Sequence, residues 1–237
     1  MPVAELRVLA ALARGQRGTG DHAERLAAFY GPQAEHYDAF RERLLWGRRL
    51  LIESLPAGPG ARVIELGGGT GRNLEFFGSR LEQFSAVELV DLCPPLLAQA
   101  GERVARHGWR NVRLIEADAT RYRPSAPADL VYFSYSLSMI PGWQAALDNA
   151  LAMLAPGGVL GVVDFWVCPR RHGRIASAFW RHWFAHDGVR LSADALDRLR
   201  AGPGGLREIR FVDQRARLPW LPGLRVPVWL YVGRREA

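Results

Sequence analysis

From Val63 to Gly71 the chain reads VIELGGGTG, a short apolar run that passes directly into Gly67, Gly68, Gly69 and Gly71. A buried strand that empties into glycines and then into a helix suits the turn between strand and helix in a parallel sheet. Glycines there let the backbone approach a ligand closely, and the start of the helix offers free N–H groups to a polar or anionic moiety. The feature implies an α/β protein that holds a nucleotide-like molecule at a strand end. A nicotinamide dinucleotide pattern fails, because the last position of Gly-x-Gly-x-x-Gly counted from Gly67 is Arg72, and the spacing is Gly-x-Gly-x-Gly. With 237 residues, 49% of them apolar, the chain is long enough for one well-filled core and short for two.

The periodic segments run helices first, then alternating strand and helix, then two closing strands. Asp21 and Glu24 stand three apart in a capping-box pattern that starts a short helix through Tyr30, ended by Gly31-Pro32. Tyr37, Phe40, Leu44, Leu51 and Leu55 recur at helical spacing and predict one longer helix from about Gln33 to Leu55. Strands follow near 61–67, 84–90, 111–116, 129–134 and 158–164, with helices near 71–81, 94–107 and 143–154. Helical crossovers of that length imply parallel pairing. LREIRFVDQRARL and VPVWLYVGRR, joined by the Pro-rich PWLPG, predict an antiparallel closing hairpin. The division expected is an N-terminal helical cap over 1–56 and a catalytic core over 57–237.

The net charge of +7 is carried by arginine alone, since no lysine occurs, and it favours anionic surfaces, either nucleic acid or acidic membrane headgroups. No apolar run is long enough to span a bilayer, and the first twenty residues do not read as a secretory signal, so a cytoplasmic protein is expected. Cys93 and Cys168 are far apart, and His182 with His186 lacks a third ligand, so neither a disulfide nor a metal is expected.

The sequence E-x-G-x-G-x-G after the first strand resembles the cofactor loop of class I S-adenosylmethionine-dependent methyltransferases, and LAPGGVLGVVDF adds to the likeness. The resemblance implies a doubly wound, seven-stranded, mostly parallel Rossmann-like sheet with an antiparallel closing strand and N-terminal helices, and S-adenosylmethionine as cofactor. It assigns Glu65 to the amino-acid end of that molecule, Gly67, Gly69 and Gly71 to the loop, and Asp91, twenty residues past Gly71, to the ribose hydroxyls. Asp118 and the Ala119 amide would hold the adenine, with Leu92 and Ser134 alongside, and Tyr30 and Tyr37 would close over the site from the N-terminal helices.

YDAFRERLLWGR, FSYSLSMIPGW and FWRHWFAHDGV are similar to the N-methyltransferases of betaine-lipid synthesis, which trimethylate the amine of diacylglyceryl-homoserine. On that resemblance the acceptor is a lipid at an acidic membrane surface, the protein can lie peripherally on the inner face, and association with the enzyme that supplies diacylglyceryl-homoserine is left open. Tyr135 is a candidate to hold a methylated ammonium by cation-π attraction, and core packing is the competing reading for Phe133. His186, beside Asp187, and Asp164, at the end of the fifth strand, are candidate proton acceptors. Arginines near Arg41 could pair with the homoserine carboxylate. The fourth strand ends FSYSLS and lacks the Asn-Pro-Pro-Tyr of enzymes that methylate base amines, so no nucleic-acid substrate is expected. Phe165 to Phe184 mixes Arg170, Arg171, Arg174 and Arg181 with Trp166, Phe179, Trp180 and Trp183, which suits either a lipid boundary or a solvated helix on the sheet. The competing functions are methylation of another small molecule, such as a quinone or polyketide, and non-catalytic cofactor binding in support of another enzyme.

Overall fold

The computed structural model describes residues 21–31, 38, 42, 44–186, 188–218 and 223–237. Within them the capping box forms as expected, with the Glu24 N–H donating to Asp21 Oδ1 at 2.9 Å and the Asp21 N–H donating to Glu24 Oε2 at 3.0 Å. It starts α1, His22–Tyr30. The long helix expected over 33–55 is not one helix. Gly47 takes φ +85, a left-handed conformation that side chains resist, and α2 covers only Arg48–Ser54. Residues 32–37, 39–41 and 43, among them Tyr37 and Arg41, lie outside the described residues.

The alternation continues as β1 (Arg62–Leu66), a 3-10 segment (Arg72–Gln83), β2 (Ala86–Asp91), α3 (Pro94–His107), β3 (Val112–Glu116) and β4 (Ala128–Ser134). It ends with α4 (Trp143–Met153), β5 (Leu154–Phe165), α5 (Pro169–His172), α6 (Arg174–Ala185), α7 (Asp194–Arg200), β6 (Leu206–Arg217) and β7 (Arg225–Arg235). The helix expected near 71–81 is of the tighter kind and breaks at Gly78, where φ is 58 and ψ −138. α7 went unread in the sequence.

The seven strands form one sheet in the order β3-β2-β1-β4-β5-β7-β6. All pairs are parallel except those of β7, which runs antiparallel to both β5 and β6 and so supplies the expected closing hairpin. Side chains alternate between two faces along each strand. On one face Val63, Tyr132 and Val163 pack with Leu51, Ile52 and Leu55 from α2 and its end and with Leu74, Phe77 and Leu81 of the 3-10 segment. On the other, Ile64, Leu66, Phe133 and Val162 pack with Ala146, Leu147 and Ala150 of α4 and with Leu196 and Leu199 of α7. Phe133 is fully buried here, which fits the packing reading. A third, smaller cluster seats α1 on the start of α3, through Leu26, Phe29 and Tyr30 against Cys93 and Leu96. The strand order reverses at β1 and β4, and ligands of such sheets bind outside the carboxyl ends of the strands at that switch point.

Candidate active site

The loop after β1 is tied down at this switch point. The N–H groups of Gly67 and Gly68 both donate to the Val90 carbonyl, at 2.8 and 3.2 Å. Gly67 has φ +73, and a Cβ there would lie 2.3 Å from the Cβ of Ser136, whose hydroxyl donates to Leu66 O at 2.6 Å. Only glycine serves both the backbone conformation and the close approach of the β4 loop.

The loop forms the floor of a cavity of about 900 Å³, counting its mouth. Asp91 lines it. Its Oδ2 accepts from the Gly69 N–H at 2.7 Å and its Oδ1 from the Cys93 N–H at 2.8 Å. Each carboxylate oxygen has room for a further donor, so the group presents two acceptor positions side by side, as a ribose diol requires. Burial raises the Asp91 pKa, and the backbone N–H groups of Gly69, Cys93 and Leu92 oppose that rise. Asp118 lines the next part of the wall, with its Oδ1 held by the Thr120 N–H at 2.8 Å. On the other side of the glycines, three buried polar atoms of wall residues have no hydrogen-bond partner: Asn73 Oδ1, Ser134 Oγ and Arg48 Nε. Buried polar atoms left unpaired along a cavity wall suit a polar ligand. A diol acceptor, an acid toward the adenine end, a glycine cradle and a polar far end together fit S-adenosylmethionine.

Gly67, Gly69, Asp91, Leu92, Asp118, Ala119, Ser134 and Tyr135 therefore all line one cavity. Glu65 does not reach it. It is fully buried below the loop, where its carboxylate accepts from Asn73 Nδ2 at 2.6 Å and from the Tyr132 hydroxyl at 2.8 Å. It meets the site through Asn73 rather than directly. Gly71 also stays off the wall and caps the 3-10 segment at φ 71. Tyr30 lines the cavity, whereas Tyr37 lies outside the described residues.

Two of the three catalytic candidates stand elsewhere. Asp164 lies on the opposite face of β5 from Val163 and Phe165, in a separate small pocket with Arg190 and Trp229. Its Oδ2 accepts from the Ser138 N–H at 2.8 Å, and its Oδ1 from the Ser138 hydroxyl at 2.7 Å and the Phe165 N–H at 2.8 Å. Burial pushes its pKa up to about 6 against those donors. Its contacts hold the turn Leu137–Met139, which brings Met139 to the cavity. His186 is exposed at the end of α6 and lines neither pocket.

Tyr135 is where it was expected and more constrained than expected. Its φ of 57 is the only positive value among the described residues other than glycine. Such strain persists where the surroundings over-determine it. The Tyr135 N–H extends the sheet to Val163 O at 2.8 Å, its hydroxyl donates to the Trp46 carbonyl, and its ring packs at 4.6 Å on Phe165. Sequence reasoning missed His22, Arg48 and Asn73, all on the cavity wall. The repeat of His22, Leu26 and Tyr30 at intervals of four along α1 is the signal that could have found the first. Arg48 is 5% exposed, with one guanidinium nitrogen 2.9 Å from Glu42 Oε2. Asp38 accepts from the Thr70 hydroxyl of the loop at 2.7 Å and from Arg103 of α3 at 2.5 Å.

A family model described as a methyltransferase domain matches residues 34–202. The ubiquinone/menaquinone biosynthesis C-methyltransferase UbiE of Ectopseudomonas mendocina is 31% identical over 151 residues, 60% of this chain and 59% of that protein. UbiE of Shewanella pealeana is 29% identical over 150 residues, 60% of each. The chain thus spans about three fifths of the length of the curated relatives it matches. Among solved structures, phosphoethanolamine N-methyltransferase 2 of Haemonchus contortus, in complex with S-adenosyl-L-methionine, is similar at TM-score 0.72 and 15% identity, over 93% of this chain and 61% of that one. N-methyltransferase NodS of Bradyrhizobium japonicum, in complex with S-adenosyl-l-homocysteine, is similar at TM-score 0.64 and 19% identity, over 91% of this chain and 97% of that one. These two structures bear on the fold, and the matched model covers most of the chain. The protein belongs to the methyltransferase domain family, with the class I fold and S-adenosylmethionine as its cofactor.

Proposed function

We propose that the chain methylates the amine of a lipid headgroup, with diacylglyceryl-homoserine as the acceptor and a betaine lipid as the product. The observation that carries this reading is a convergence. The three stretches similar to the betaine-lipid enzymes are far apart in sequence, yet described residues of the first two touch beside the cavity and the third reaches them through Phe165. The Tyr135 hydroxyl donates to the Trp46 carbonyl, the Tyr135 ring stands 4.6 Å from Phe165, and Phe165 stands 4.7 Å from Phe184.

When bound, the cofactor supplies a methyl group on a sulfonium, and transfer to an amine is an in-line displacement by a lone pair. The protein's part is then mostly alignment. The faces of Tyr135 and Tyr30 suit a cationic, partly methylated amine. The Arg48 guanidinium, half-satisfied by Glu42, suits the carboxylate of the homoserine headgroup. Successive methylation ends when the nitrogen has no lone pair left. Association with the enzyme that supplies the acceptor belongs to the same proposal.

A second reading, methylation of a quinone ring carbon, is favoured by the UbiE relatives. The two are separated by incubating the protein and S-adenosylmethionine with diacylglyceryl-homoserine or with a prenylated quinol and following mass. Successive methyl increments on the lipid amine are expected. Methylation of the quinol alone, by a protein that binds the cofactor, would replace the first reading with the second.

A further inference from the structure

α6 has an outer face that the other described elements leave exposed. Its inner face is covered, with Ser177, Trp180 and Phe184 buried. On the outside Ile175 is 88% exposed, Phe179 42% and Trp183 47%, and these residues follow one another at intervals of four, so they form one stripe along the helix. The Phe179 and Trp183 rings touch, with centroids 5.7 Å apart. Three of the five large apolar side chains that stand exposed among the described residues lie in this stripe. Single exposed apolar residues need no explanation, whereas a continuous patch marks an interaction surface.

The charge around the stripe identifies its partner. From Pro169 to His186 there is no acidic residue. Arg171 is paired with Asp213 at 2.7 Å, but Arg170, Arg174 and Arg181 have no carboxylate partner among the described residues. Arg174 opens α6, and Arg170 is close before it, at the end where the helix dipole is already positive. Cations there oppose the helix and gain from an external anion.

We propose that α6 docks on an anionic bilayer, with Ile175, Phe179 and Trp183 entering the headgroup boundary and Arg170, Arg174 and Arg181 meeting lipid phosphates. An exposed apolar and aromatic stripe, on a helix whose charged side chains without a carboxylate partner among the described residues are arginines on its neighbouring flank, has the composition of an interfacial helix. No helix among the described residues is long and apolar enough to cross a membrane, so the contact is peripheral. The opposite face of α6 leads to the site, since Phe184 packs on Phe165 and Phe165 on Tyr135. The use of this docking for catalysis rests on the lipid reading above, but the docking itself does not.

The test is co-sedimentation of the full chain with vesicles of phosphatidylcholine alone and of phosphatidylcholine with phosphatidylglycerol, neither of which contains an amine acceptor. Partition into the anionic vesicles is expected to exceed that into neutral ones, and the double variant Phe179→Ser, Trp183→Ser should lose on the order of tenfold of it. Arg174→Glu with Arg181→Glu should abolish the preference for anionic lipid. Both variants should keep the wild-type affinity for S-adenosylhomocysteine, which shows that they fold. The proposal is overturned if the serine variant sediments like the wild type or if both vesicle types bind equally. A dimer in lipid-free solution that the serine variant dissolves would assign the stripe to a second copy and overturn it too. Because no acceptor is present, failure of docking and failure of the lipid-substrate reading are distinguishable.

Discussion

Replacing Glu65 by Gln isolates the one charge that the fold buries beneath the glycine loop. Burial pushes the Glu65 pKa from 4.5 up to about 7, opposed by the donors Asn73 and Tyr132 and by nearby Arg48. A carboxyl whose pKa is higher in the folded than in the unfolded chain binds its proton more tightly when folded. Its stabilising contribution is full below the unfolded value and is lost as pH rises through the folded one. With the values above, stability lost through this group between about pH 5 and about pH 8 is about 2–3 kcal/mol. Gln has no such loss and keeps the packing. Asn73 Oδ1, which has no partner, can turn to accept from the new amide while the Gln oxygen still accepts from Tyr132. Thermal unfolding of both proteins across that range is the assay, because the difference between them cancels every other titrating group. The gap should move in favour of Gln by about 5–10 °C as pH rises, at roughly 2–4 °C per kcal/mol for a chain of this size. S-adenosylhomocysteine affinity should fall by no more than about tenfold, since Glu65 does not line the cavity and acts on the ligand only through the turn of Asn73. A gap that does not change with pH would refute the buried, desolvated carboxyl. Ala at the same position strips the acceptor from Tyr132 and Asn73 and should cost about 2–4 kcal/mol at any pH.

Gly67→Ala forces a side chain into φ +73 and against Ser136, so cofactor-product affinity should fall on the order of tenfold or more and the melting temperature should drop. Binding calorimetry and thermal unfolding check this together, and an unchanged affinity would mean that the loop position is not critical. Asp164→Asn should leave the pH dependence of kcat unchanged while lowering stability by about 1–2 kcal/mol, because the residue holds the Ser138 turn and does not face the cavity. Disappearance of a pH-rate limb in this variant would restore Asp164 as a base.

The glycine loop, the alternating strands and the closing hairpin were legible because each has a local signature: β-branched runs, turn glycines and periodicity. The break before α2 was not, since Leu44, Leu51 and Leu55 keep helical spacing although residues 44–47 form a turn that ends in the left-handed backbone of Gly47. α7 is short, seven residues, and its apolar pair Leu196 and Leu199 is too brief a pattern to stand out. Within the site, residues that sit at the carboxyl ends of β2 and β3 were found because position along the strand is enough to place them. Asp164 was misplaced because a strand end does not reveal which face a side chain takes, and Phe165, one residue later, is the one that faces Tyr135. Glu65 fell one layer short for a related reason: it shares a face with Val63 and Tyr132, under the loop. Arg48 and Asn73 come from the elements on either side of β1, and nothing in their spacing marks them as facing a common cavity.

The Asp91 carboxylate, braced by the Gly69 and Cys93 N–H groups, is placed to grip a ribose diol at the switch point of the sheet. Titration calorimetry with S-adenosylhomocysteine on the wild type and on Asp91→Ala tests it directly. Binding by the wild type and a loss on the order of a hundredfold in the variant are expected, from two hydrogen bonds to a charged group at about 1.5 kcal/mol each. Absence of heat with the wild type, or equal affinity in the two proteins, would contradict it.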